Sequence, residues 1–149
     1  MRSFDQADFL NLQPAQLKTK VLIHEPVKID VQSIRLTLDA ETNHGIRQYR
    51  FPLVLISEQT IAPQNGLFLK APAQTAYTFK MAEEARLSFG EVQAALQRQN
   101  PHRFEFSVDA DFEPIPESIE TATLSVLLKL SDEKDYLTLV EDAVLNIKG

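Results

Sequence analysis

The sequence predicts a mainly β domain, with an antiparallel β-sandwich-like fold and one α-helix. Residues 103–112 and 121–130 alternate between polar and apolar side chains. Such alternation places apolar side chains on the dry face of a strand and polar side chains on its wet face. Only one long stretch of the chain has helical spacing instead. The predicted strands are joined by short turns, which favours a sandwich or a strongly curved sheet over βαβ units.

Each of the two alternating segments has a well-defined apolar set. The first set is Phe104, Phe106, Val108, Ala110 and Phe112, and the second is Ala122, Leu124, Val126, Leu128 and Leu130. We expect both sets to face the core of the domain.

The C-terminal segment, residues 136–148, predicts a strand that is interrupted by a bulge. Its apolar residues of one parity are Leu137, Leu139, Ala143, Leu145 and Ile147. Glu141 falls on the same parity, so a bend near Glu141 and Asp142 is expected. The polar turn at residues 131–135 would join this strand to the preceding one as a hairpin.

The N-terminal half predicts further strands and turns. The strands are expected at Leu17–Ile23, Ile34–Leu38, Tyr49–Ile56, Leu67–Leu69 and Ala76–Met81. Asn43-His44-Gly45 offers turn residues that tolerate positive φ, and Asn65-Gly66 is a hairpin signal. Pro52 favours an edge or a bulge in its strand.

The helix is predicted over Ala85–Asn100. Its apolar residues recur at helical spacing, at Ala85, Phe89, Val92 and Leu96. Pro101 ends the helix, because the residue before a proline avoids helical geometry. Gly90 weakens the helix interior by about 1 kcal/mol relative to Ala, which favours a start near Ser88. A short helical turn is also expected between Asp5 and Leu12.

The chain, residues 1–149, is expected to form one domain, with residues 1–14 as a segment that can be mobile. Two interpretations apply to its apolar residues, which are Phe4, Phe9, Leu10 and Leu12. They either dock back onto the sheet or contact a partner or a membrane surface.

Composition excludes several classes of function. The formal net charge of -6 and the scattered basic residues oppose nucleic-acid binding and a general attraction to anionic lipid. The densest basic groups, Lys18 with Lys20 and Arg47 with Arg50, are small. The absence of cysteine excludes disulfides, zinc-thiolate sites and cysteine nucleophiles. No apolar run approaches the roughly 20 residues that a membrane-spanning helix needs.

No catalytic, cofactor-binding or metal-binding residue is predicted. His24, His44 and His102 lie far apart and are expected in solvent-exposed loops. Asp109, Asp111 and Glu113 share one strand face and could contact a hard cation, but a solvated strand face is the favoured interpretation. Neither a G-x-S-x-G motif nor a phosphate-binding glycine loop is present.

Three segments carry a resemblance to a known class of proteins. Arg2–Leu10, Gln16–Val21 and Tyr136–Asp142 resemble the mature domains of small lipoproteins of the Gram-negative cell envelope. In such proteins a lipid-bearing cysteine precedes the first of these segments, at the place that Met1 has here. The resemblance implies a periplasmic location, with membrane attachment only through that lipid.

Three functions remain open from the sequence. The first is a non-catalytic envelope module that binds a protein or an apolar ligand. The second is a cytosolic interaction domain, such as an inhibitor or immunity protein, whose acidic surface covers a basic site. The third, and least favoured, is a hydrolase that uses scattered acids and one histidine.

Overall fold

The computed structural model describes residues 2–4, 6–65 and 70–146. It confirms a mainly β fold with a single long helix. The strands are β1 (Arg2–Phe4), β2 (Lys18–His24), β3 (Arg35–Thr42), β4 (Gly45–Ile61), β5 (Gln64–Asn65), β6 (Lys70–Ala71), β7 (Gln74–Met81), β8 (Arg103–Asp109), β9 (Thr121–Lys129) and β10 (Leu137–Asn146). The helices are α1 (Gln6–Leu10) and α2 (Glu83–Gln99).

Eight of the strands form one antiparallel, nearly closed sheet, in the order β1-β8-β3-β4-β7-β2-β9-β10. The inner faces of the two halves of this sheet meet in the core. The two alternating segments form β8 and β9, and β9 and β10 form the predicted hairpin. Ala110 is an exception to the predicted pattern, because it follows the end of β8 and is exposed.

Strand β4 connects the two halves of the sheet. Its first part pairs with β3 as far as Pro52, and its second part pairs with β7 from Leu53 onward. The register shifts between Leu55 and Ser57. Pro52 therefore lies where the strand changes partners, and beyond it one side of β4 has no strand neighbour among the described residues. The turn before β4 is confirmed, with Gly45 at a φ of 105°.

A short two-stranded hairpin interrupts the connection between β4 and β7. Asn65 of β5 pairs with Lys70 of β6. The predicted turn residue Gly66 and the predicted strand Leu67–Leu69 lie outside the described residues.

Helix α2 is longer than the sequence predicts at its N-terminal end. It begins at Glu83 rather than near Ser88, and Gly90 lies within it. Glu83 and Glu84 in the first turn interact favourably with the positive end of the helix dipole. At the other end, Asn100 adopts a left-handed conformation (φ 50°) and its N–H donates to the Leu96 carbonyl at 3.0 Å. These end contacts and the burial of Ala85, Phe89 and Leu96 accompany a helix that continues through Gly90 despite its propensity cost.

The N-terminal segment docks onto the domain. Phe9 is completely buried, and Leu12 is 5% exposed. The Phe9 ring stacks on Phe104 with 4.5 Å between centroids and lies 5.6 Å from Phe89. Gln93 Nε2 donates to the carbonyl oxygens of Phe9 and Leu12 at 3.0 and 2.9 Å. Of the two interpretations of the N-terminal apolar residues, the structure shows docking onto the domain for Phe9 and Leu12. The side chain of Phe4 lies outside the described part of the structure.

Candidate functional site

An apolar cleft opens where the sheet does not close, between β8 and the edge strand β10. The cleft encloses about 310 Å³. Strand β1 pairs only with Phe104–Phe106 of β8, so the described part of the chain places no strand beside the rest of that edge. The next residues of β8, Ser107 and Val108, line the cleft.

The inner faces of four strands supply the cleft walls. On one wall lie Phe106, Val108, Ala110 and Phe112. On the other lie Val21, Leu124, Val126, Leu139, Val140, Ala143 and Leu145. Exposure increases along the second wall, from 6% at Val126 to 41% at Leu145. The cleft is therefore an extension of the hydrophobic core that reaches solvent at the C-terminal end of β10.

Two bulges bend β10 so that its apolar side chains keep facing the cleft. The register against β9 shifts on each side of Val140. Asp142, in the second bulge, has a φ of 46°, and its N–H donates to Ser125 Oγ at 2.9 Å. The bend predicted near Glu141 and Asp142 is confirmed. It turns the exposed Glu141 away from the parity that would have placed a carboxylate on the apolar wall.

An isolated β-bridge within the chain supplies two of the residues that line the cleft. Ile29 and Phe112 form an isolated antiparallel bridge, and both residues line the cleft. The Ile29 N–H donates to the buried Tyr77 hydroxyl at 3.3 Å. Tyr77 therefore connects the cleft wall at Ile29 to the central strand β7.

The Tyr77 phenol is held in its neutral form. Burial raises its pKa above the usual 10.0, and the carboxylates of Glu58, Glu113 and Glu25 add to that increase. Donation from the Ile29 N–H acts in the opposite direction and is the smaller effect compared with burial.

We expect the free energy of unfolding to fall as the pH rises above 10. The unfolded chain then loses the tyrosine proton while the folded chain keeps it, so the contribution is complete below the unfolded pKa and is lost as the pH rises through the folded one. Urea unfolding at stepped pH measures this dependence. In Tyr77→Phe the free energy of unfolding should fall less steeply with pH. Part of the fall should remain, because burial also raises the pKa of Tyr136. A Tyr77→Phe profile equal to wild type would contradict this assignment.

The structure does not bring the three histidines together. His44 is exposed in the turn before β4, His24 is half-buried at the end of β2, and His102 is exposed. His102 Nε2 lies 2.6 Å from Asn43 Oδ1. His24 is thus a strand residue rather than the predicted loop residue, and within the described residues no group of three metal-ligating side chains is present.

The predicted acidic strand face is only partly formed. Asp109 ends β8, where its Oδ2 accepts a hydrogen bond from Thr37 Oγ1 at 2.6 Å. Asp109 and Asp111 border a polar hollow that also contains Arg35 and Arg50. Glu113 lies beyond the bridge at Phe112. Two guanidinium groups in this hollow disfavour a cation there.

A second apolar surface lies on the free part of β4. Val54, Leu55, Ile56 and Ile61 are each between 36% and 44% exposed. Across the residues that the structure describes, no helix is long and apolar enough to span a membrane.

Comparison with protein-family models, with curated proteins and with solved structures yields no match to this chain. The functional inference therefore depends on the cleft itself. The sequence identifies most of the cleft residues as apolar strand positions, but it carries no signal that they line an opening.

Proposed function

We propose that this protein is a non-catalytic binding module that takes a single apolar chain, such as an acyl chain, into the cleft between β8 and β10. The observation that carries this proposal is a walled apolar cavity between β8 and the edge strand β10 of the nearly closed sheet. Small-ligand sites of proteins are concave, mostly apolar and at least about 300 Å³ in volume. The cleft is at the lower end of that range, which favours one chain over a bulky ring system.

The chemistry of the walls supports binding rather than catalysis. Among the described residues that line the cleft, Ser107 is the one polar residue and none is titratable. A ligand would therefore be held by removal of its apolar surface from water, at about 0.8 kcal/mol for each buried methylene.

We also propose that the domain acts in the cell envelope, as its resemblance to envelope lipoproteins implies. An acyl chain is a membrane component, so an envelope location would supply the ligand class that the cleft fits. Mass analysis of the mature N-terminus of the native protein tests this location. A lipid-modified cysteine before Arg2 supports it, and an unmodified protein in the cytosolic fraction contradicts it and favours the cytosolic interaction domain.

Titration calorimetry with straight-chain fatty acids of increasing length, below their micelle concentrations, tests the binding function. Each added methylene should increase affinity about fourfold until the cleft is full, after which the affinity should level off. Alcohols of equal length should bind like the acids, because the described residues that line the cleft carry no charge. The methyl ester of such a fatty acid, incubated with the protein, should be recovered without hydrolysis, because the proposed function is non-catalytic.

Two results would contradict the proposal. Affinity that does not depend on chain length would show that the head group, not the apolar chain, is recognised. Hydrolysis of the ester at a rate that follows protein concentration would instead identify an enzyme.

A further inference from the structure

Three lysines form a row across the outer face of the sheet. The cleft is apolar and lies on the inner face, whereas this row is charged. Lys18 of β2 is directly opposite Lys80 of β7 on one side and directly opposite Lys129 of β9 on the other. Directly opposed residues point to the same face, and neighbouring strands are about 4.8 Å apart, so the row spans about 10 Å. Lys20, two residues along β2, projects from the same face.

The row brings like charges together, which is electrostatically unfavourable when no anion is bound. Like charges directly opposite each other destabilise a sheet. Within the described residues, none of these four ammonium groups forms an ion pair with a carboxylate; an ion pair instead joins Arg103 and Glu105. The four lysines therefore concentrate positive charge on one face of a protein whose net charge is -6.

Tyr136 draws two of these cations together. The Nζ atoms of Lys20 and Lys129 lie 4.8 and 5.6 Å from the centroid of its ring. Both distances are within the range of a cation–π interaction. Tyr136 thus holds the ammonium groups of Lys20 and Lys129 close to each other above the sheet. The same contacts occupy the ring, which disfavours stacking of a nucleic-acid base there.

The surroundings of the row limit the size of an anion that it can bind. Exposed Asp132, Glu133 and Asp135 occupy the turn that follows β9, and Glu83 and Glu84 follow β7 at the start of α2. These carboxylates would repel an extended anionic surface such as a bilayer or a duplex. A compact anion with several charges would instead contact the ammonium groups alone.

We infer that the face formed by Lys18, Lys20, Lys80 and Lys129 binds a compact, multiply charged phosphate group of the diphosphate class. Adjacent phosphates present several oxyanions within a few ångströms, which matches ammonium groups on neighbouring strands. The inference does not depend on the apolar cleft. It departs from the expectation based on net charge, because the four lysines come from three separate segments of the chain.

Titration with inorganic pyrophosphate at low ionic strength, followed by ¹⁵N chemical shifts, tests the inference. We expect saturable one-to-one binding, with the largest shifts at the strand amides around Lys18, Lys80 and Lys129. Orthophosphate should bind roughly tenfold more weakly, and added salt should weaken both.

Lys18→Gln should reduce pyrophosphate affinity by about tenfold or more. Its thermal midpoint without the anion should equal or exceed that of wild type, since the substitution removes a like-charge contact, so the loss would not reflect unfolding. Lys134→Gln, which removes an exposed lysine from the acidic turn, is the matched control and should bind as wild type does.

Three outcomes would overturn the inference. One is equal affinity of Lys18→Gln and wild type for pyrophosphate. Another is weak, unsaturable binding of pyrophosphate and orthophosphate alike. The third is Lys18-dependent sedimentation with vesicles of phosphatidylglycerol and phosphatidylcholine in a protein that does not bind pyrophosphate, which would assign the face to a membrane surface.

Discussion

Replacement of Ala143 by Phe is expected to block the cleft and to reduce acyl-chain affinity by at least about tenfold. Ala143 lies on β10 opposite Leu124, and both residues line the cavity. A phenyl ring added there would occupy space that the ligand needs. Because the ring would enter a cavity instead of a filled core, the folded state should not be strained as it is by overpacking. The free energy of unfolding should stay the same or rise.

Val144→Phe is the matched control for this experiment. Val144 is the next residue of the same strand, is 66% exposed and points away from the cleft. The control places a phenylalanine on the same edge strand, one residue away and on the opposite face. Equal loss of affinity in both variants would indicate a general disturbance of β10. Unchanged affinity in Ala143→Phe would show that the ligand binds outside the cleft.

The features of this fold that depend on local periodicity can be predicted from the sequence. Strands β8 and β9 follow from strict alternation, which reports the pleat of a single strand. The bulge near Asp142 follows from one charged residue, Glu141, at a position where burial would be costly. The start of α2 could not be predicted in this way, because Glu83 and Glu84 add nothing to the apolar periodicity. They belong to the helix because their carboxylates interact with the positive end of its dipole.

The cleft and the lysine row depend on which strands become neighbours. The alternation of Val108 and of Leu139 predicts that each faces an apolar interior, but not that the interior is open between their two strands. Lys18 has its opposed partners, Lys80 and Lys129, in segments far apart along the chain. Of these four lysines, proximity in the sequence groups only Lys18 with Lys20. Both sites are consequences of long-range register, which no local pattern encodes.

Replacement of Phe9 by Ala is expected to destabilise the protein by about 3–5 kcal/mol. The Phe9 ring is completely buried and packs between Phe104 of β8 and Phe89 of α2. Its removal would leave a cavity at the point where the helix meets the sheet, and that rigid surrounding can collapse only in part. Such a loss is a large fraction of the 5–15 kcal/mol typical of a whole domain. Urea unfolding followed by circular dichroism measures it.

Leu87→Ala separates burial from mere loss of an apolar residue. Leu87 is on α2 but is 71% exposed, so its truncation should change the free energy of unfolding by no more than about 0.5 kcal/mol. The contrast between the two variants measures how far the N-terminal segment belongs to the core. A loss below about 1 kcal/mol for Phe9→Ala would mean that this segment contributes little to the fold. A full loss would mean that residues before β2 stabilise the packing of α2 against the sheet, because Phe9 contacts Phe89 of α2 and Phe104 of β8.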